Sequence, residues 1–239
     1  MADSRTNPLN PLATHTVSAF DTEIGELRGL VAQMGGLAER AVGEAMVALQ
    51  RGDLELAARV CAADPAIDAL EAEVERTAVR IIALRAPMAD DLREVVAALK
   101  IAGVVERIGD YAKNIAKRVP AIESEYRIEP VSTLPAMARM AQEMVHDALD
   151  AFAARDPEAA VEVRRRDAAL DDFYDSIFRT LVTYMVENPR TISQVAHLLF
   201  VAKNLERVGD HATNVAEMVY FAAAGTRMAE RTVRGEDDR

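Results

Sequence analysis

A twelve-residue segment occurs twice in this chain. Residues 106–117 read ERIGDYAKNIAK and residues 206–217 read ERVGDHATNVAE, identical at seven of twelve positions with two further Ile/Val exchanges, at an offset of 100. Upstream, GDLELAARVCAADPAID (52–68) lies against RDPEAAVEVRRRDAALD (155–171) at an offset of 103, which sets Asp64 against Asp167 and Asp68 against Asp171. Two independent matches at nearly equal spacing mean a duplicated unit of about 100 residues. The 239 residues must therefore fold as two related halves.

The unit is helical. Apolar residues recur at spacings of three and four: Val105, Ile108, Ala112, Ile115 and Val119 in the first unit, Leu205, Val208, Ala212, Val215 and Val219 in the second. Ile67, Leu70, Val74, Ala78 and Ile81, with Leu170, Phe173, Ile177, Leu181 and Tyr184, give the preceding helix the same seam. Gly and Pro together number 20 and Trp is absent, which disfavours a turn-rich β-sandwich or propeller. Proline and glycine breaks then predict helices at 17–50, 53–86, 89–119, 134–154, 157–187 and 190–224. Asp64-Pro65 reads as an N-cap followed by proline at a first helical position, which breaks or kinks the second helix there. The expected fold class is all-α, two tandem pseudo-symmetric three-helix bundles. The first spans 15–121 and the second 131–225, with flexible tails at 1–14 and 226–239.

The formal charge is −11, from 39 acidic and 28 basic residues. An acidic surface without a basic block repels phosphate backbones, so no nucleic-acid partner is expected, while metal cations and basic protein surfaces stay open. The single Cys61 cannot form an internal disulfide and fits a reducing cytoplasm. The N-terminus lacks the layout of a signal peptide, and no run of 18 apolar residues predicts a membrane span.

Two sets of acids stand at helical spacing. Glu106 and Asp110 are four apart, as are Glu206 and Asp210, with Asn114 and Asn214 continuing each stripe. The stripes lie about half a turn from the apolar seams and are expected to face away from the core. Asp64 and Asp68, with Glu71 and Glu75, form a second stripe, and Asp167 and Asp171 repeat its first pair. If helices two and three of each unit are neighbours, each unit gathers four carboxylates, whose oxygens suit Mg, Ca, Mn or oxidised iron. The plainer reading is solvated surface. Like charges at i and i+4 mildly oppose helix formation, however, and their recurrence at matched sites in both halves favours metal. Arg107 and Arg207 offer surface ion pairs to the neighbouring acids instead.

Other chemistry finds little support. Gly109 and Gly209 interrupt helix interiors at about 1 kcal/mol each, which close helix packing explains, and Gly35-Gly36 reads the same way. A ferritin-type di-iron oxidase needs two Glu-x-x-His pairs, whereas Glu143 and His146 form one that is not repeated. There is no GxSxG, phosphate-binding Gly-rich loop or Cys/His group, so no catalytic residue and no enzyme activity are expected. Met34, Met137, Met144 and Met185 sit in apolar patterns as core filler.

HTVSAFDTEIGELRGLVAQMGGLAE (15–39), RIIALRAPMADDLREVVAALK (80–100), the two ERxGD segments and DAALDDFYDSIFRTLVTYM (167–185) together resemble the PhoU family, accessory and regulatory proteins of phosphate-specific transport. The likeness runs from His15 to Phe221, and two ERxGD repeats one bundle apart with ALRxPxxxDLR before the first are specific. It implies two three-helix bundles. It also implies paired acidic motifs able to hold iron, manganese, zinc or magnesium on the surface, here Asp64, Asp68, Glu106, Asp110, Asp167, Asp171, Glu206 and Asp210. Many relatives have an acid or amide just ahead of the first ERxGD, where this chain has Gly103-Val104-Val105, while Asn204 precedes the second; the departure weakens the case for a cluster in the first bundle. The implied role is a cytoplasmic adaptor, recruited to the inner membrane face by its partners, which restrains high-affinity phosphate uptake and keeps the phosphate regulon off. Its implied partners are the cytoplasmic ATPase subunit of the phosphate importer, the membrane sensor histidine kinase and a second copy in a homodimer. The alternative is a carboxylate protein that stores or senses iron, manganese or zinc.

Overall fold

The computed structural model describes residues 11–122 and 132–229. These form α1 (Pro11–Arg51), α2 (Leu54–Ala63), α3 (Pro65–Arg85), α4 (Asp90–Ala116), α5 (Leu134–Ala154), α6 (Pro157–Glu187) and α7 (Ile192–Ala224), with 3₁₀ turns at Val119–Ala121 and Pro189–Thr191. No strand occurs among the described residues. The expected tails at 1–10 and 230–239 lie outside the described residues, but 11–14 belong to α1, which starts on a proline that needs no donor there.

The duplicated punctuation works by matched chemistry. Asp53 caps α2 by accepting the Leu56 backbone N–H at 2.9 Å. Its repeat equivalent Asp156 caps α6 by accepting from Glu158 and Ala159. Pro65 splits the first unit's second helix into α2 and α3, whereas the equivalent position holds Ala168 and α6 runs unbroken for 31 residues. Asp64 does not cap α3: it is itself helical and its side chain makes no capping bond. That carboxylate is engaged elsewhere.

Four long helices, α1, α4, α5 and α7, share one continuous core, with α2–α3 packed on the first pair and α6 on the second. The predicted seams of α4 and α7 are all buried. These two matched helices run antiparallel. Arg93 near the start of α4 reaches the Ala222 carbonyl near the end of α7, while Arg118 beyond the end of α4 meets His197 near the start of α7. Tyr111 and His211, equivalent residues of the two units, stand edge to face with centroids 5.2 Å apart, which puts the pseudo-twofold axis between them.

The helix-interior glycines mark close approaches. A methyl group on Gly109 would come within 2.7 Å of the Ile67 Cδ1 of α3, and one on Gly209 would collide with Leu170 of α6. Gly35 takes the Leu149 side chain of α5 in the same way, but Gly36 faces open space. Gly209→Val therefore lowers the unfolding free energy by about 1–3 kcal/mol through overpacking. Gly36→Ala raises it by about 0.5–1 kcal/mol, because only the helix propensity changes. Denaturant unfolding of the two variants beside the parent checks both signs.

Candidate functional site

The acid stripes of α4 and α7 do turn away from the shared core, yet they meet the flanking helices instead of open solvent. Glu106, Asp110, Glu206 and Asp210 are all half-buried against α3 or α6. Asp64 and Asp167 are 7% exposed each. Burial makes the neighbours of each carboxylate decisive, since a charge out of water must find a partner or lose its charge.

In the first unit the partner is Lys113. Its Nζ donates to Asp64 Oδ2 at 2.5 Å and to Asp110 Oδ1 at 3.2 Å, bridging α3's leading residue and α4. Asp68 and Glu75 are exposed. Glu71 and Glu106, one turn away from the bridge, both have their carboxyls pushed up, first by burial and then by acidic neighbours. Donors of this kind would suit a cation, but the Asp64–Asp110 gap already contains one.

The second unit lacks that lysine, because position 113 corresponds to Thr213. One oxygen each from Asp167, Asp171 and Asp210 lies within 4.8 Å of the others. Three hard oxygen donors at that separation fit a small divalent or trivalent cation. Asp210 is pushed up to about 6, first by burial and then by Glu206, Asp167 and Asp171. Glu206 stands apart: its Oε1 accepts from Lys203 Nζ at 2.6 Å, and its buried Oε2 has no hydrogen-bond partner. Lys203 also lies 5.2 Å over the Tyr174 ring. Asn204 spends its amide on the Phe200 carbonyl at 2.8 Å, one turn back in its own helix. Asn114 and Asn214 are exposed at the ends of their stripes.

The remaining candidates separate from this site. Arg207 sits over the Tyr111 ring at 5.9 Å instead of pairing with an adjacent acid. His146 is exposed on α5, 3.4 Å from Glu39 of α1 and 3.5 Å from Asp150. Sequence reasoning missed Glu94, 3% exposed, which joins Arg28 of α1 to Arg155 at the α5–α6 turn and so ties the two units by charge. Its signal was present, an acid on the apolar seam of α4 one turn ahead of Ala98. Arg155 holds a left-handed φ of 54° while closing α5.

Asp210 binds its proton more tightly in the folded chain, at about 6 against an ordinary 3.8. The metal-free fold therefore gains from this group at low pH and loses that gain as pH rises from about 4 to about 6, with the penalty complete above. In chelator at pH 7.5, Asp210→Asn raises Tm by about 2–4 °C, the size of a screened effect near 1 kcal/mol. The gain shrinks towards pH 4. Thermal melts across that range check it, and a gain independent of pH refutes the assignment.

The PhoU domain model matches this chain twice, over residues 31–119 and 134–219, one match per unit. The chain is 56% identical over 223 residues to a phosphate-specific transport system accessory protein PhoU homolog of Zymomonas mobilis, covering 93% of this chain and 94% of that protein. It is 45% identical over 221 residues to the homolog of Caulobacter vibrioides, covering 92% and 96%. The crystal structure of PhoU from Pseudomonas aeruginosa aligns with a TM-score of 0.83 at 38% identity, over 87% of this chain and 100% of the other. PhoU from Streptococcus pneumoniae aligns equally well, at 0.83 and 26% identity, over 88% and 100%. The duplicated ERxGD helices, the all-helical fold and this likeness along both units agree: the chain belongs to the PhoU family, accessory proteins of the phosphate transport system.

Proposed function

We propose that the chain is a non-enzymatic adaptor of phosphate homeostasis, which restrains high-affinity uptake through the importer's cytoplasmic ATPase subunit and holds the sensor kinase of the phosphate regulon inactive. The observation that carries this reading is the match of both units to accessory proteins of phosphate transport along nearly their full length. The surface supports it. Both hairpin tips leave large apolar side chains in solvent: Val79, Leu84 and Met88 at the α3–α4 tip, Val182, Val186 and Ile192 at the α6–α7 tip. Such paired apolar patches are what a partner buries. No helix among the described residues is long and apolar enough to cross a membrane. In this reading the chain acts on the cytoplasmic side and reaches the inner membrane face through the importer and the kinase.

A second reading, favoured by the Asp167, Asp171 and Asp210 oxygens gathered within 4.8 Å, is that the second unit holds a metal ion. Iron, manganese, zinc and magnesium are the candidates, with the hard oxygen donors suiting magnesium, manganese or oxidised iron best. Bound there, the cation would neutralise acids that otherwise repel one another. On this reading metal tunes the adaptor, and storage is a minor role for so small a donor set.

Deletion of the gene is expected to leave alkaline phosphatase expressed in phosphate-rich medium and phosphate uptake unrestrained; repressed enzyme with unchanged uptake refutes the adaptor. For the metal, elemental analysis of purified protein is expected to show bound cation that falls by at least about tenfold in Asp171→Ala and Asp210→Ala, the loss typical of removing a ligand or its support. Equal content in parent and variants removes the second reading.

A further inference from the structure

The geometry points to a binding site for a small phosphate ester with a flat apolar body, in the cavity bounded by α4, α6, α7 and the chain just beyond α7. The site goes beyond the adaptor reading and does not depend on it. The cavity measures about 480 Å³, the size of pockets that take small organic molecules. Three cations line it, Lys100 from α4, Arg164 from α6 and Arg227 from the segment after α7, against one acid, Glu217. Two positive charges are thus in excess here, in a chain whose formal charge is −11.

A turn builds one wall of the cavity. α7 ends at Gly225, whose left-handed φ of 72° stops the helix with its N–H on the Phe221 carbonyl. A methyl group on Gly225 would also stand 3.3 Å from the Arg93 guanidinium, so both the φ and the neighbour call for glycine. The chain then crosses to α6, where Arg164 donates to the Ala229 carbonyl, and the crossing brings Arg227 and Met228 to the cavity. Arg164, its side chain 15% exposed, also lies 3.9 Å from Glu217 of α7. Lys100 and Arg227 have no carboxylate partner among the described residues. Most of the remaining lining is apolar, with Val96 of α4 and Met218 and Phe221 of α7 facing the same space.

This lining selects the ligand. Guanidinium forks match phosphate oxygens, and an excess of two positive charges balances a phosphate monoester, which carries nearly two negative charges at neutral pH. Inorganic phosphate would leave Val96, Met218 and Phe221 wet, whereas a flat apolar body covers them. The pseudo-symmetric place in the first unit is spent on the chain itself. There the residues equivalent to Ala97, Lys100 and Met218 are His197, Phe200 and Arg118. Arg118 lies 4.6 Å over the Phe200 ring and 3.2 Å from His197, and the equivalent of Arg164 is the uncharged Cys61.

The test labels the full chain with pyridoxal phosphate, an aromatic phosphate ester. Its aldehyde condenses with a lysine amine, water leaves, and borohydride reduces the imine to a secondary amine that mass spectrometry maps. Lys100 is expected to label at least about tenfold faster than Lys117, which is exposed at the other end of α4. Pyridoxal, which lacks the phosphate, is expected to label the two alike. Arg227→Gln, at an exposed position, and Arg164→Gln are each expected to bring Lys100 towards the rate of Lys117. Phenyl phosphate is expected to protect Lys100 at concentrations at least about tenfold below those of inorganic phosphate, and Phe221→Ala to narrow that gap. Equal labelling of Lys100 and Lys117 by pyridoxal phosphate overturns the site, as does a preference that pyridoxal shares or that both arginine variants keep. Protection by inorganic phosphate as strong as that by phenyl phosphate overturns the assignment to an ester.

Discussion

The packing of α4 against α7 is the constraint on which the other features rest. Each presents a continuous apolar seam, and no single unit can cover both faces of its own third helix. Setting the two matched helices antiparallel buries both seams at once, with Tyr111 and His211 meeting at the axis. That arrangement leaves the opposite faces, where the ERxGD acids sit, to be covered by α3 and α6. The glycine of each ERxGD segment makes the cover close, because Ile67 and Leu170 lie where its side chain would be. Half-burial of the acids is thus a by-product of core packing, and it turns ordinary surface charges into groups whose partners matter.

Duplication supplies symmetry, and the departures from it are informative because the backbone is shared. Seams, caps and one buried aspartate, Asp64 or Asp167, are retained in each unit. What differs are the residues that answer the acids: Lys113 against Thr213, Gly103 against Lys203, Glu71 against Tyr174. Glu94 follows the same rule, since its equivalent is Gln194 and only the charged member meets two arginines. A buried carboxylate without such a partner costs several kcal/mol, which is why the charged member is the one held between arginines.

Much of this was legible beforehand, for physical reasons. The repeat fixed the number of units, the spacing of apolar residues fixed the seams, and Asp53, Pro65 and Asp156 marked helix ends by chemistry that needs no tertiary context. The pairing of the second and third helices in each unit also followed. The outward rotation of the stripes was right relative to the core, but one helix's periodicity says nothing of the helix that covers its far side. For the same reason Asp64 read as a cap. Lys113 lies 49 residues away, and only the fold brings its ammonium to that carboxylate. Asn204 ahead of the second ERxGD favoured a cluster in that bundle by resemblance, and its amide turns back to the Phe200 carbonyl of its own helix.

The unequal stripes bear on how the fold can respond without unfolding. In the first unit Lys113 answers Asp64 and Asp110, while Glu71 and Glu106 beside them are raised by burial and by acidic neighbours. In the second, Asp210 is held up near 6 by burial and by acids on two helices. A cation bound there, as proposed, would add RT ln(1 + [L]/Kd) to the folded state, about 2.7 kcal/mol at a hundredfold excess over Kd. That is comparable with the repulsion it relieves and small beside the burial that holds the four central helices together. Because α6 and α7 carry the triad and also form the second hairpin tip with its exposed Val182, Val186 and Ile192, the energy is spent on the pair of helices that presents an apolar surface.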